Sequence, residues 1–147
     1  MCEAFGLRFD HLGLATRTPE TTLQFLQGLG YRIPAPVYDP LQRANLVYCS
    51  SDSMPAVEVI YAADAEGPLE AILAAQPVAI YHQCYRSASL AHSLAAFKAA
   101  GHRVMQVSAG KPAVLFGGLT VSFHLVKAFG LIEIIEDPQA FSEPSHP

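Results

Sequence analysis

The stretch FDHLGLA, Phe9 to Ala15, places a histidine, His11, among the apolar residues of a predicted strand. AIYHQCY, Ala79 to Tyr85, does the same with His82, a step of 71 residues along the chain. Gly30 and Gly101 stand the same 71 residues apart, and each opens a polar-Arg-aliphatic triplet, Tyr31-Arg32-Ile33 and His102-Arg103-Val104. Leu23 maps onto Leu94 and Leu26 onto Phe97, on helix faces spaced for burial. Each half also ends in a strand with one acid between aliphatics, VEVI around Glu58 and IEII around Glu133. The chain is an internal repeat.

Working outward from those strands, Thr18 and Pro19 give an N-cap and a first helical position for PETTLQFLQGL, which Gly30 stops. YRIPAPVY continues in an extended, proline-interrupted form. RANLVYCS and AVEVIYA follow as strands, separated by the turn-like SDSMP. GPLEAILAAQ, between Pro68 and Pro77, reads as a short helix. The order then repeats, with SLAHSLAAFKAAG as the helix and HRVMQV, PAVLFGG, TVSFHLV and LIEIIE as the extended segments after it. The expected fold class is α+β, with two tandem βαβββ modules over residues 9–66 and 78–136 forming one domain with a mixed or antiparallel sheet. Residues 137–147, polar and proline-rich, read as a loosely ordered tail.

The composition restricts the function classes. Hydrophobic residues make up 51% of the 147 and charged residues 15%, yet no apolar run reaches the roughly 18 residues that cross a bilayer. The formal net charge is −4 with scattered basic residues, which argues against a nucleic-acid partner. The amino terminus MCEAFGLRFD carries an early acid and no long apolar stretch, so no signal peptide is expected. Cys2, Cys49 and Cys84 form no CxxC pair and read as reduced thiols of a cytoplasmic protein. A thiol nucleophile at Cys84, beside His82, has nothing in the sequence to activate it; a small core residue is the better reading.

A lone histidine in an apolar strand is more often a hydrogen-bonded core residue than a ligand, and His92, His102 and His124 take that reading. Glutamate is different, because burying a carboxylate without a partner costs several kcal/mol (order of magnitude). Alternation turns Val57 and Val59 one way and Glu58 the other. Glu133 shares its face with Leu131 and Ile135, which do not seek solvent. No lysine or arginine lies inside these four strands to neutralise the acids. A divalent cation satisfies both carboxylates and takes His11 and His82 as further ligands. Two nitrogen and two oxygen donors, with waters completing an octahedron, suit Mn, Co, Ni, Fe or Mg better than a closed structural Zn, although Zn remains in the set.

The sequence resembles the vicinal oxygen chelate superfamily, and within it the methylmalonyl-CoA epimerase and glyoxalase I-like branch. The resemblance is carried by FDHLGLAT, VEVIYAAD, YHQCYR and GLIEIIE in this order and spacing, from Phe9 to Glu136. It implies paired βαβββ modules forming a cupped mixed sheet, with metal bound by His11, Glu58, His82 and Glu133. It also implies that Glu133 or Glu58 serves as both ligand and catalytic base. At position 58 the epimerases often carry glutamine and glyoxalase I enzymes glutamate, so Glu58 leans toward the latter. Where the epimerases tend to carry an acid before the third strand, YDPLQRANL offers Asp39 and Gln42, which makes Asp39 the candidate second base.

The activity implied is that of a metal-dependent epimerase, isomerase or lyase on an acyl thioester or hemithioacetal. It would remove a proton next to a carbonyl through a metal-stabilised enolate or enediolate. Coenzyme A or glutathione would need basic residues, for which Arg17, Arg43, Arg86, Arg103 and Lys111 are the candidates. The alternatives are a non-catalytic small-molecule binding or resistance protein of the same fold and, ranked lower, a non-haem iron dioxygenase. The expected partners are a small-molecule substrate and a second copy in a homodimer, with no nucleic acid and no membrane.

Overall fold

The computed structural model describes residues 5–64, 67 and 69–141. Cys2, Pro68, residues 65 and 66 at the end of the first expected module, and residues 142–147 of the expected tail lie outside the described residues. In chain order the elements are β1 (Leu7–Thr16), α1 (Pro19–Gly28), β2 (Val37–Asp39), β3 (Ala44–Cys49), β4 (Ala56–Ala62) and α2 (Leu69–Ile72). They continue with β5 (Val78–Ser87), α3 (Leu90–Ala99), β6 (Val104–Pro112), a 3-10 turn (Val114–Phe116), β7 (Thr120–Val126) and β8 (Gly130–Glu136). The expected α+β repeat of strand, helix and three strands is present twice.

Contacts divide the described chain into two compact units. One contains residues 11–83 and 114–117; the other contains the described parts of 1–10, 84–113 and 118–147. These units do not follow the expected modules, because β1 and β5, each ten residues long, contribute their two ends to different units.

In the first unit the strand order is β2-β3-β4-β1-β5. β3 lies antiparallel to β2 and β4, whereas β1 and β4 pair in parallel with Gly13 opposite Glu58 and Ala15 opposite Ile60. Helix α1 covers one face through Leu26, Tyr31, Val47, Cys49, Val57 and Val59. The opposite face is closed by Ala15, Ala44, Leu46, Ile60, Leu69 and Leu73. Glu58 shares parity with Ile60, so the acid stands on a packed face, not a wet one.

In the second unit the order is β5-β8-β7-β6, with β7 antiparallel to both neighbours. Phe97 of α3 packs on Ile132 and Ile134. Arg86 binds Asp10 at 2.7 Å and Asp137 at 2.9 Å, and the Asp137 amide donates to the Ser87 carbonyl at 2.8 Å. Ala140 is buried, so residues 137–140, expected to be loose, are held by charge and packing.

Three local expectations change. PAVLFGG forms no strand: Gly117 and Gly118 take positive φ of 62° and 83°, and the preceding residues close into the 3-10 turn. The helix expected over GPLEAILAAQ is one turn long. YRIPAPVY is mostly irregular, because Pro34 and Pro36 supply no ladder donors.

The repeat extends to hydrogen bonds that sequence reading did not find. In the first copy the Thr16 hydroxyl accepts from the Thr18 amide at 3.0 Å and pairs with the Thr22 hydroxyl at 2.9 Å. In the second, Ser87 accepts from the Ser89 amide at 3.2 Å and pairs with Ser93 at 2.7 Å. Both helices end alike: the Tyr31 amide donates to the Leu26 carbonyl and the His102 amide to the Phe97 carbonyl, each at 3.0 Å. Gly30 and Gly101 supply the positive φ, 103° and 85°, that this ending requires. The copies differ at the cap. Ser89 accepts from the His92 amide, whereas the Thr18 side chain makes no cap bond although the residue holds the N-cap position. Ser89→Ala is therefore expected to cost about 1 kcal/mol and Thr18→Ala less than half of that, read from urea denaturation midpoints at constant slope.

Candidate metal centre

The parallel β1–β4 register determines what meets in the first unit. His11 and Gly13 point from β1 to the face on which Glu58 of β4 stands, and His82 of β5 joins them. His11 Nε2 lies 3.6 Å from Glu58 Oε2. The His11 and His82 rings are 5.7 Å apart at 76°. His11 is 0% exposed, and Glu58 and His82 are each 3%.

Aromatic rings enclose the group. Phe116, delivered by the 3-10 turn, stacks on His11 with centroids 5.6 Å apart and planes at 18°. Tyr48, paired with Glu58 across β3 and β4, meets the His11 ring edge-on at 5.5 Å. Tyr81 meets His82 edge-on at 4.4 Å. Gly13 supplies the space, since a Cβ built there would overlap the His82 ring. Sequence reading missed Gly13, Tyr48 and Phe116. A glycine in a strand two residues after a histidine was the available signal for the first.

Burial, with a smaller contribution from His11, pushes the His82 pKa down to about 3. The imidazole is thus neutral at ordinary pH, as a metal ligand must be. Glu133, the repeat's counterpart of Glu58, stands in the second unit at the centre of β8. It is paired in register with Phe123, set between the buried Ile132 and Ile134, and is itself 3% exposed. None of the four expected ligands faces solvent.

Asp39 takes a different role from a base. It is buried, and its carboxylate accepts from the Leu41 amide at 2.9 Å, the Gln42 amide at 3.4 Å and Gln42 Nε2 at 2.9 Å. Both oxygens are engaged in anchoring the loop into β3. Cys84 is buried, as a core residue would be, and burial raises the Cys49 thiol to about 11. Three candidate cations for an anionic substrate are paired elsewhere: Arg17 with Glu70, Arg43 with Asp64 and Arg86 with Asp10 and Asp137.

The chain belongs to the Glyoxalase/Bleomycin resistance protein/Dioxygenase superfamily, whose sequence pattern matches residues 10–123. Solved structures share the fold. A hypothetical protein from Bacillus halodurans C-125 superposes with a TM-score of 0.75 at 19% identity, covering 96% of this chain and 99% of that one. Methylmalonyl-CoA epimerase from Mycobacterium tuberculosis gives 0.68 at 14% identity, over 86% and 85% of the two chains. A Streptomyces coelicolor methylmalonyl-CoA epimerase variant in complex with 2-nitronate-propionyl-CoA gives 0.64 at 17%, over 87% and 95%. No curated protein sequence matches the chain. Among the described residues no helix is long and apolar enough to cross a membrane.

Proteins of this superfamily typically bind a divalent metal, and the first unit holds donors of the types one takes. A buried carboxylate and two buried imidazoles, one of them kept neutral by burial, are the chemistry such an ion uses. Gly13→Ala is expected to force His82 aside. It should cost about 1–3 kcal/mol of stability by overpacking and weaken Co(II) binding measured by calorimetry. The His82 pKa, about 3 in the fold, lies below the unfolded value of 6.5, and burial lowers His124 in the same direction. The unfolded chain therefore binds more protons in this window. Stability of the metal-free protein is full above about pH 6.5 and is lost as pH falls toward 3. A melting temperature that stays flat over that range would contradict this assignment.

Proposed function

We propose that this chain is a metal-dependent epimerase, isomerase or glyoxalase-type lyase that removes a proton next to the carbonyl of an acyl thioester or hemithioacetal. The reading is carried by the buried imidazole pair of His11 and His82, with Glu58 beside His11 and Gly13 cut back to admit the His82 ring. Glu133, the acid that the repeat sets opposite Glu58 in sequence, is the proposed fourth ligand. Bound there, a divalent ion would act as a Lewis acid on the substrate carbonyl.

The chain's own residues do the rest. His11 and His82 present nitrogen donors, that of His82 kept neutral by burial. A carboxylate moves the proton, with Glu133 as the principal base and Glu58 as the second proton carrier. Phe116 and Tyr48 shield His11 from bulk water, which strengthens every charge interaction on that face. The similarity to methylmalonyl-CoA epimerases, one of them in complex with methylmalonyl-CoA, supports an acyl thioester as the substrate class. A homodimer acting in the cytoplasm completes the proposal.

The test is proton exchange. Incubated in deuterated water with methylmalonyl-CoA and Co(II), the protein should place deuterium on the carbon next to the thioester carbonyl. Chelator should abolish the exchange. Glu133→Gln should lower the rate by about 100-fold or more, since an amide cannot serve as base. Glu58→Gln should be milder, because an amide oxygen still ligates. Oxygen uptake with a catechol and no exchange would favour the iron dioxygenase. Tight ligand binding without turnover would favour the binding protein.

A further inference from the structure

The two copies of the repeat differ in charge at one matched place in a way the reaction above does not use. In the first copy Arg32 bonds through its backbone to Ser50, and its guanidinium is neutralised by Asp52 at 3.0 Å. In the second copy the matching residue is Arg103, whose carbonyl accepts from the Lys127 amide at 2.9 Å. The first copy thus sets Ser50 against Arg32 and brings Asp52 to its guanidinium, whereas the second sets a cation, Lys127, against Arg103. Like charges on adjoining backbone positions repel, and among the described residues neither has an acidic partner. Lys98, on the last turn of α3, adds a third positive charge.

These three cations border a groove of about 790 Å³ that lies wholly in the second unit and has no carboxylate in its lining. Its walls are apolar, from Leu94, Val104 and Val126, and its volume suits a small molecule. His124 also lines it. That side chain is 0% exposed; its Nε2 pairs with the Ser122 hydroxyl at 2.8 Å, and among the described residues its Nδ1 has no partner. When the Ser122 hydroxyl donates to Nε2, Nδ1 carries the proton and is a donor on a residue that lines the groove. A buried donor left unmet is costly, so the arrangement calls for an acceptor.

We propose that this groove binds an amphipathic phosphate monoester, its phosphate held by Arg103 and Lys127 with Lys98 nearby, its apolar body on Leu94, Val104 and Val126, and an acceptor oxygen reaching His124. The phosphate removes the repulsion between the two neighbouring cations and gives Nδ1 its partner. Arginine and lysine together suit a dianion, the one as a planar fork and the other as a mobile point charge.

The probe is 1-naphthyl phosphate, with 1-naphthol and 1-naphthoate as comparisons, titrated into the full chain and followed by the His124 ring resonances. The expected result is saturable binding with a dissociation constant of about 1 mM or below, at least about tenfold tighter than 1-naphthol, and weakened by salt. His124 should shift while His11 and His82 do not. Arg103→Gln with Lys127→Gln should weaken binding by at least about tenfold, with the amide spectrum showing an intact fold. Equal affinity for 1-naphthol would reduce the groove to an apolar crevice, and stronger binding of 1-naphthoate would assign it to carboxylates; either overturns the phosphate site. So would binding that ignores the double substitution or leaves His124 unmoved. Because the readout uses neither metal nor turnover, its failure would leave the proposed reaction standing.

Discussion

The parallel pairing of β1 with β4 is the constraint from which the candidate centre follows. It sets Gly13 opposite Glu58 and puts His11 and the acid on one face of the sheet. A slip of one residue would turn Glu58 into the cluster of Leu26, Val57 and Val59 beneath α1, and would bring Val57 or Val59 beside the imidazoles. The first of these would bury a carboxylate in an apolar core at a cost of several kcal/mol (order of magnitude). The alternation of valine and glutamate in β4 therefore fixes register as much as it supplies chemistry.

Enclosing that face has its own energetic consequences. Removal from water favours neutral nitrogen, and His82 shows it in the direction of its shift. Phe116 and Tyr48 complete the enclosure with ring edges and faces, which need no hydrogen bonds of their own. The turn that carries Phe116 depends on Gly117 and Gly118, whose positive φ a strand in that place could not accommodate. The loss of one expected strand thus gave the centre one of its walls.

Duplication also explains why the halves can diverge. The hydroxyl pairs Thr16–Thr22 and Ser87–Ser93 and the matched helix endings at Gly30 and Gly101 preserve the backbone of each copy. With that frame held by local hydrogen bonds, the rim is free to change. Arg32 keeps Asp52 on its guanidinium, Arg103 has Lys127 as its backbone neighbour, and the second copy has a groove bordered by cations where the first has an ion pair.

By itself the sequence determined the repeat, the order of the elements and the two buried histidine–glutamate sets, His11 with Glu58 and His82 with Glu133. Each of these is written in spacing: His11 and His82 at one step, acids flanked by aliphatics, and glycines closing both helices. Local and periodic signals survive without coordinates because the strand and helix periods are properties of the backbone. Tertiary structure alone decided that Asp39 anchors a loop, that Arg86 is held by Asp10 and Asp137, and that Gly13 exists to admit the His82 ring. It also decided that β1 and β5 each serve two units. Those outcomes depend on which distant atoms compete for the same space and the same charge, and that competition leaves no period in the chain.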